Sequence, residues 1–323
     1  MKNKTLKTLL PIGIATLVFL ALLWVATLYD LQISEAIASL NDKKYISSNL
    51  FGRFFETFGE DPVYIISAIG LCFVFYALPK FIKNEKLLLT AKILLVIVIV
   101  GDYSYMAKKI IGYLSEHYES ITLDGVKKYA VSVVFGLVFT AITLILTSKV
   151  KDEKITGLCV WGVIVALTFA LSQGVVQGIK PFVGRMRYRA IYVLNENGLS
   201  DLAKFTKWYV WNGKGTLTEE MLNLGLGKDV FKSFPSGHTC GGAMVFTLAF
   251  LPEFLGFSED KLKKFTVIIW TLATAFTVVL AYSRILMGAH YLSDVLFGGY
   301  IAFISAMISK KIVKTLAKKF NIL

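Results

Sequence analysis

Residues 283–294 read Ser-Arg-Ile-Leu-Met-Gly-Ala-His-Tyr-Leu-Ser-Asp, and they join an apolar run at 265–282 to another at 290–309. Each run approaches the ~20 residues that a helix needs to cross a bilayer. Similar runs recur along the chain, and they are continuous rather than alternating, which favours helices over the strands of a barrel. The sequence therefore predicts an all-α protein, a polytopic helical bundle in a membrane.

The composition agrees with a membrane protein. Hydrophobic residues make up 55% of the 323 residues and charged residues only 18%, which is less charge than a soluble domain of this length carries. The formal net charge is +13, but the lysines fall in short connectors between apolar runs. That distribution is the positive-inside pattern and not the basic face of a nucleic-acid-binding protein. We therefore expect the lipid bilayer as a partner and no nucleic acid.

The apolar runs predict about eight membrane spans, at 9–29, 62–79, 87–112, 129–148, 156–179, 238–256, 265–282 and 290–309. Lysines cluster at 2–7, 80–86, 149–154, 261–264 and 310–319. A cytoplasmic N-terminus puts every cluster in the cytoplasm, whereas omitting the irregular run 87–112 would move three clusters outside. We therefore expect a multi-pass protein of the cell membrane with both termini cytoplasmic. The segment 181–237 and the motif at 283–290 then lie on the extracytoplasmic side.

One connecting segment has two interpretations, and the end of one span is set by a proline. Residues 31–61 carry apolar residues at helical spacing among acidic ones, so they form either amphipathic segments on the membrane interface or a solvated loop. The span at 156–179 should end near Lys180, because Pro181 disfavours helix in the residue before it.

We expect a single membrane domain, 1–323, with one long non-spanning insert at 181–237. Within the insert, Thr216-Leu217-Thr218-Glu219 has the pattern of a capping box, which predicts a short helix through Leu224.

No metal or other cofactor is expected. The three cysteines, Cys72, Cys159 and Cys240, lie in apolar runs and are typical of small buried hydrophobic residues. No cluster of histidines, cysteines or carboxylates has the spacing of a metal site.

The motif at 283–294 carries three polar groups with complementary chemistry. If the chain is helical from Tyr291 onward, His290 and Asp294 lie on one face, four residues apart. A carboxylate beside an imidazole fixes its tautomer and stabilises it when it gains charge. Arg284 has a planar fork that suits phosphate oxygens. The pattern indicates a nucleophile or base with its orienting group and an anion clamp, or else a helix cap with an ion pair near a membrane surface.

A second motif, Phe234-Pro235-Ser236-Gly237-His238, opens the sixth predicted span. A Ser-Gly pair at the start of a helix presents backbone N–H groups to an anion. His238 could then donate a proton to a leaving oxygen. The alternative is a turn and a helix cap with a histidine at the interface.

A third motif, residues 180–189, contains Lys180, Arg185, Arg187 and Arg189. Four cations in ten residues would ordinarily indicate a basic patch beside a cytoplasmic membrane surface. The predicted topology puts them outside, where basic patches are disfavoured. We therefore expect this cluster to bind an anionic partner.

These three motifs together resemble the type 2 phosphatidic acid phosphatase superfamily. The resemblance lies in Lys180 and Arg187 with six residues between them, then Pro-Ser-Gly-His at 235–238, then Ser-Arg, His and Asp at 283–294. It covers about residues 156–310, which we take as the catalytic core, and leaves 1–155 as additional N-terminal helices. The chain has Tyr188 where the family usually has proline, and one extra pair of helices precedes the family core.

The resemblance implies a role for each matched residue. His290 attacks phosphorus and forms a phosphohistidine, Asp294 orients it, and His238 protonates the leaving group and then activates water. The residues implied to hold the phosphoryl oxygens are Lys180, Arg187, Arg284, Ser236 and Gly237. Arg185 and Arg189 lie outside the matched positions and are expected to support these residues or to contact lipid headgroups, and Ser283 is expected to support them. The residues alone suggest the same division, since phosphoryl transfer needs positive charge on the phosphoryl oxygens, an in-line nucleophile and leaving-group protonation.

The expected function is that of an integral-membrane lipid phosphatase acting at the extracytoplasmic face without a metal. Its substrate would be a lipid phosphate monoester or pyrophosphate, such as phosphatidate, phosphatidylglycerophosphate or undecaprenyl pyrophosphate. A lipid-linked phosphotransferase is the alternative, because either water or another acceptor can capture a phosphohistidine. A non-catalytic protein that binds phospholipid in the same pocket is a third.

Overall fold

The computed structural model describes residues 2–41, 49–118 and 123–322, which form helices and no strand. The α-helices are α1 (Lys2–Ala38), α2 (Leu50–Phe58), α3 (Pro62–Phe81), α4 (Glu85–His117), α5 (Gly125–Ser148), α6 (Asp152–Val183), α7 (Tyr188–Glu196), α8 (Glu219–Asn223), α9 (Gly237–Gly242), α10 (Leu251–Phe254), α11 (Glu259–Leu286) and α12 (Leu292–Lys319). Three 3₁₀ segments are Ser200–Leu202, Lys228–Phe231 and Ala243–Phe250. The predicted all-α class is confirmed.

Seven helical stretches of the described chain are long and apolar enough to cross a membrane. They are Ile12–Ala38, Leu50–Phe81, Glu85–His117, Gly125–Ser148, Asp152–Glu196, Glu259–Leu286 and Leu292–Lys319. The irregular run at 87–112 lies within one of them, the continuous helix α4, so its charged residues do not interrupt the helix.

The segment expected to form the sixth span, 238–256, is not one long helix. It consists of α9, the 3₁₀ segment Ala243–Phe250 and α10 in succession. Glycine is a weak helix former, and Gly241 and Gly242 are needed here by close packing. A Cβ at Gly241 would lie 2.5 Å from Glu60 Cγ, and one at Gly242 would lie 2.2 Å from Leu280 Cδ2. The described residues therefore contain seven long candidate spans where about eight were expected.

Residues 31–61 contain parts of two helices. Helix α1 continues to Ala38 and is broken at Tyr29, whose φ of −127° and ψ of 18° are non-helical. Helix α2 is amphipathic, since it buries Glu56 and Thr57 while several of its phenylalanines are exposed, namely Phe51, Phe54 and Phe58. Residues 42–48 of this stretch lie outside the described part of the chain.

Two boundaries in the insert differ from the predicted ones. Helix α6 ends at Val183 rather than near Lys180, with Pro181 inside its last turn. Gly184 follows with a φ of +53°, and a Cβ there would lie 1.8 Å from the Gly213 carbonyl oxygen, so glycine is required. The predicted short helix is α8, but its cap is the second threonine of the capping-box pattern, not the first. The side chain of Thr218 accepts the N–H of Met221 at 3.4 Å.

The chain forms two compact units. The first unit consists of residues 1–52, 175–237 and 281–300. Within it, the ring of Phe19 stacks on Tyr300 with centroids 4.1 Å apart. Trp208 packs beside Phe297 at 5.1 Å and donates its indole N–H to Thr27 Oγ1 at 2.9 Å. The insert has a small core of its own, formed by Met186, Ala190, Ile191, Leu194, Met221 and Val230.

The second unit consists of residues 53–174, 238–280 and 301–323. Its helices α3 and α6 approach closely at two glycines, because a Cβ on Gly162 would lie 2.2 Å from the carbonyl oxygen of Gly70. Trp161 is fully buried and donates its indole N–H to the carbonyl of Thr247 at 2.9 Å. The second unit therefore packs helices closely at small residues, as is common in membrane bundles, and gives the buried indole N–H of Trp161 an acceptor.

Candidate active site

A tight turn after helix α11 places His290 in the first unit. The carbonyl oxygen of Arg284 accepts the N–H groups of Ala289 and His290, at 3.1 and 3.3 Å. Gly288 has a φ of +58°, and a Cβ there would lie 3.2 Å from the backbone nitrogen of Arg189. That nitrogen donates to the Gly288 carbonyl at 2.8 Å. The glycine therefore allows the turn and lets the start of α7 pack against it.

The hydrogen bond of the His290 ring defines its neutral tautomer. Nδ1 lies 2.7 Å from the backbone carbonyl oxygen of Ser233. A carbonyl can only accept, so Nδ1 carries the hydrogen and Nε2 keeps a lone pair. The pKa of His290 is lowered to about 3, mainly by burial; Asp294 acts to raise it, and the positive charges of Arg187 and Arg284 act to lower it. The ring is therefore neutral at physiological pH, with Nε2 available as a nucleophile.

Asp294 is fully buried and holds the surroundings of His290 together. Its Oδ2 lies 3.7 Å from His290 Nδ1, beyond hydrogen-bonding distance. The same oxygen accepts the Tyr291 N–H at 2.9 Å and the hydroxyl of Ser233. The hydrogen bond of His290 Nδ1 is thus made to the Ser233 carbonyl, and Asp294 places a negative charge near the same nitrogen. Its orienting role remains a prediction.

One of the predicted phosphate-binding cations, Lys180, lies beside Gly237, the first residue of α9. The Nζ of Lys180 lies 3.1 Å from the point where a Cβ of Gly237 would stand. Ser236 is fully buried, and its N–H donates to the carbonyl of Asp294 at 3.0 Å. Arg284 is 1% exposed and lies on the last turn of α11. These residues all belong to the first unit, as does the His290 ring.

Arg187 and Arg189 share one carboxylate. Nη1 of Arg187 and Nη2 of Arg189 each lie 3.1 Å from Asp229 Oδ2. The backbone N–H of Arg187 also donates to the carbonyl of Val230 at 2.7 Å. Asp229, a residue of the insert, therefore holds the guanidinium of Arg187, which is predicted to bind phosphate.

The remaining residues expected to support the site are buried. Arg185 is 0% exposed. Its guanidinium donates to Asp294 Oδ1 at 2.6 Å. Ser283 is also fully buried, and its carbonyl accepts the N–H of Met287 at 3.1 Å.

His238 belongs to the second unit and has a different environment. Its Nε2 donates to the backbone carbonyl of Glu56 at 3.1 Å. Its Nδ1 lies 3.7 Å from Glu60 Oε2, and its side chain is 12% exposed. The ring of Tyr113 meets it edge-on with centroids 5.6 Å apart, and Lys109 pairs with the same Glu60 carboxylate. A carboxylate and a carbonyl thus face opposite nitrogens of this histidine.

Sequence reasoning missed several residues that contact the predicted site. They are Asp30, Glu56, Glu60, Asp229, Ser233 and Ser293. Asp30 offered a signal, since it is a charge outside the three motifs on the same predicted side of the membrane as Arg185. Ser233 contacts His290 through its backbone, which no residue type could indicate.

Among the described residues, no group of three or more histidines, cysteines, aspartates or glutamates is placed to hold a metal ion. The arrangement in the first unit instead collects positive charge around a neutral imidazole.

A helical membrane protein with a buried neutral histidine among cations has the features of a phosphoryl-transfer protein. Residues 161–318 match the family model of the PAP2 superfamily, which confirms the resemblance predicted from the three motifs. No curated protein and no solved structure matches the chain. The family match and the long apolar helices support a phosphatase-type function in a membrane protein.

Proposed function

We propose that the protein is an integral-membrane lipid phosphatase that hydrolyses a lipid phosphate monoester or pyrophosphate at the extracytoplasmic face. The proposal needs no metal and uses a phosphohistidine on His290. The observation that carries it is the His290 ring itself, which is buried and neutral with Nδ1 bound to the Ser233 carbonyl. This state leaves Nε2 as the nucleophile without any prior proton transfer.

In the first step, the lone pair of His290 Nε2 attacks phosphorus, and the bond from phosphorus to the leaving oxygen breaks. His238 gives its proton to that oxygen, which departs as an alcohol or as a phosphate. His290 keeps its Nδ1 hydrogen, so the phosphorylated ring carries a positive charge. The Ser233 carbonyl and the Asp294 carboxylate stabilise this charge, since both lie on the Nδ1 side of the ring.

In the second step, a water molecule attacks the phosphoryl group and gives a proton to His238. The bond from phosphorus to Nε2 breaks, which returns the neutral imidazole and releases inorganic phosphate. Through both steps, the negative charge on the phosphoryl oxygens is balanced by Lys180, Arg187 and Arg284.

The test is phosphate release by purified protein in detergent from a panel of lipid monophosphates and pyrophosphates. We expect release that survives a chelator and is inhibited by vanadate, which mimics pentacoordinate phosphorus. Brief exposure to radiolabelled substrate should leave acid-labile label on wild type and none on His290→Ala. Activity that a chelator abolishes and a divalent ion restores would refute the metal-free mechanism. Label passed to an added lipid alcohol instead of water would identify a phosphotransferase.

The proposed face can be tested with a matched pair of cysteine variants. Lys214 lies in the insert and Lys263 in a predicted cytoplasmic connector, and both side chains are exposed. The native cysteines Cys72, Cys159 and Cys240 are buried, which limits background labelling. A membrane-impermeant maleimide applied to intact cells should label Lys214→Cys and not Lys263→Cys. The reverse pattern would place the insert in the cytoplasm.

A further inference from the structure

Asp30 is a buried carboxylate on α1, next to the break at Tyr29. It is 4% exposed. Its Oδ1 accepts the backbone N–H of Ser293 at 3.0 Å, and its Oδ2 accepts the hydroxyl of the same serine. Oδ2 also accepts from Arg185 Nη2 at 2.9 Å. Asp30 is therefore bonded to the first turn of α12, which contains Asp294.

Arg185 connects this carboxylate to Asp294. One face of its guanidinium fork meets Asp30, and Nη1 donates to Asp294 Oδ1 at 2.6 Å and to Ser293 Oγ at 2.8 Å. Its Nε donates to the Thr206 carbonyl at 2.8 Å. The guanidinium carbon lies 4.0 Å from the ring centre of Tyr291. These contacts fix the cation in one orientation, with a carboxylate on either side.

The charges of this group matter for the proposed reaction. Arg185 alone would neutralise Asp294, and a buried carboxylate–guanidinium pair has no net charge to offer the ring. The second carboxylate, Asp30, accepts three hydrogen bonds, from the Ser293 N–H, the Ser293 hydroxyl and Arg185. Hydrogen bonds of this kind favour the ionised form, and with Asp30 ionised the group of two carboxylates and one guanidinium has one net negative charge. Charges act strongly at short range in a buried site, so this excess would favour the positive ring that forms when Nε2 of His290 carries a phosphoryl group.

We propose that Asp30 is a positioning residue for His290, acting through Arg185 and Ser293 to hold Asp294 in place and to keep its negative charge effective. The inference rests on the proposed function. It makes α1 part of the catalytic apparatus, although Asp30 lies outside residues 161–318, the part of the chain that matches the family model.

The first readout is steady-state kinetics of Asp30→Asn, which keeps the shape of the side chain and removes its charge. We expect kcat to fall by about 10–100-fold, the range typical of partners that orient active-site groups. KM should stay within about twofold, because the residues proposed to bind phosphate are unchanged. Ser293→Ala, which removes the hydroxyl between Asp30 and Arg185, should lower kcat in the same way and guards against misfolding of the first variant.

Two controls lie on the same helix. Ser34→Ala removes a buried hydroxyl one turn away from Asp30 that makes no hydrogen bond to any described residue. Thr27→Val removes the hydrogen bond that Trp208 donates to α1, and it leaves the contacts of Asp30 with Arg185 and Ser293 in place. Both should keep kcat within about twofold of wild type. Equal losses of kcat in Thr27→Val and Asp30→Asn would show that Asp30 only anchors the helix, and would overturn the inference.

The second readout does not depend on turnover. The chain has only three histidines, so ¹⁵N spectra of the imidazole rings are simple, and the His290 signals are those lost in His290→Ala. In wild type we expect the neutral tautomer with hydrogen on Nδ1. Asp30→Asn should shift the His290 signals, whereas Ser34→Ala should not.

The two readouts separate the inference from the proposed function. If wild type hydrolyses no lipid phosphate but Asp30→Asn shifts the His290 signals, the function fails and the positioning role stands. If wild type is active and Asp30→Asn changes neither kcat nor the His290 signals, the positioning role is refuted and the function stands.

Discussion

Each of the two predicted catalytic histidines has a backbone carbonyl and a carboxylate as neighbours, but at His290 both lie on one ring nitrogen and at His238 they lie on different nitrogens. At His290, a carbonyl at 2.7 Å and a carboxylate at 3.7 Å both lie at Nδ1. At His238, a carbonyl lies 3.1 Å from Nε2 and a carboxylate lies 3.7 Å from Nδ1. His290 is 2% exposed as a side chain, whereas His238 is 12% exposed.

This difference separates a nucleophile from a proton carrier. Acceptors on one nitrogen favour a neutral ring with a lone pair on the other, which is what attack on phosphorus needs. Acceptors facing both nitrogens favour the ring with a hydrogen on each, which is the acid form. The comparison therefore agrees with the roles proposed for the two histidines. Variants that change the surroundings of one histidine at a time can test it.

The largest expected effect comes from removing each ring. His290→Ala should lower kcat/KM on the order of 10⁴-fold or more on every substrate, because no other group forms the intermediate. His238→Ala should cost about 10²–10⁴-fold on a monoester, the typical range of general acid catalysis. The loss should be smaller on a pyrophosphate, whose leaving group needs less protonation. Both are measured as phosphate release.

Radiolabel trapping from a pyrophosphate checks the same pair of variants. His238→Ala should still acquire acid-labile label, and His290→Ala should not. Label on His290→Ala together with none on His238→Ala would mean that the two roles are exchanged.

The next effect concerns Asp294. In a serine protease triad, replacing the aspartate by asparagine costs about 10⁴-fold because the histidine adopts the wrong tautomer. Here the Ser233 carbonyl still fixes the Nδ1 hydrogen, so we expect Asp294→Asn to lower kcat by only about 10²-fold. Asp229→Asn is the matched control, and it should change KM more than kcat because Asp229 contacts Arg187 and Arg189. A loss of kcat near the triad value would make Asp294, and not the carbonyl, the group that sets the tautomer.

The sequence was sufficient for those features that depend on local composition or on motif order. Continuous apolar runs predicted the all-α class, because a lipid environment leaves few other backbone arrangements. The motifs also identified Lys180, Arg187, Arg284, His290 and Asp294, which the structure places in one unit. Their individual roles remain predictions.

Features that depend on distant contacts were not accessible from the sequence. Asp30 at the end of an apolar run indicates the end of a span, and only folding brings it to Ser293, 263 residues later in the chain. The segment after Gly237 is apolar enough for a regular helix, yet close neighbours at Gly241 and Gly242 accompany a 3₁₀ segment there. In both cases the deciding atoms belong to residues far away in sequence.

A smaller effect should follow from the carboxylate beside His238. Glu60→Gln removes the negative charge 3.7 Å from Nδ1 and should weaken the acid form of the ring. We expect monoester turnover to fall by about 10-fold and pyrophosphate turnover by less. Glu56→Gln is the matched control, because Glu56 contacts His238 through its backbone carbonyl, which the substitution keeps. A similar ratio of the two activities in both variants would argue against a role for Glu60.

The smallest effect is one of stability, and it tests whether His290 is neutral. Burial lowers the pKa of His290 to about 3, whereas an imidazole in an unfolded chain has a pKa of about 6.5. As the pH falls from 6.5 towards 3, the unfolded chain takes up a proton that the folded chain excludes. The free energy of unfolding therefore falls by about 1.4 kcal/mol per pH unit because of His290.

The variant His290→Gln tests this. Its side chain can still donate an N–H to the Ser233 carbonyl, but it does not take up a proton in this pH range. Between neutral pH and about pH 4.5, thermal unfolding in detergent should therefore show a loss of stability smaller by about 2 kcal/mol in His290→Gln than in wild type. If His290→Gln and wild type lose the same stability in acid, the His290 ring is not held neutral by burial, and the difference between the two histidines lies in their hydrogen bonds alone.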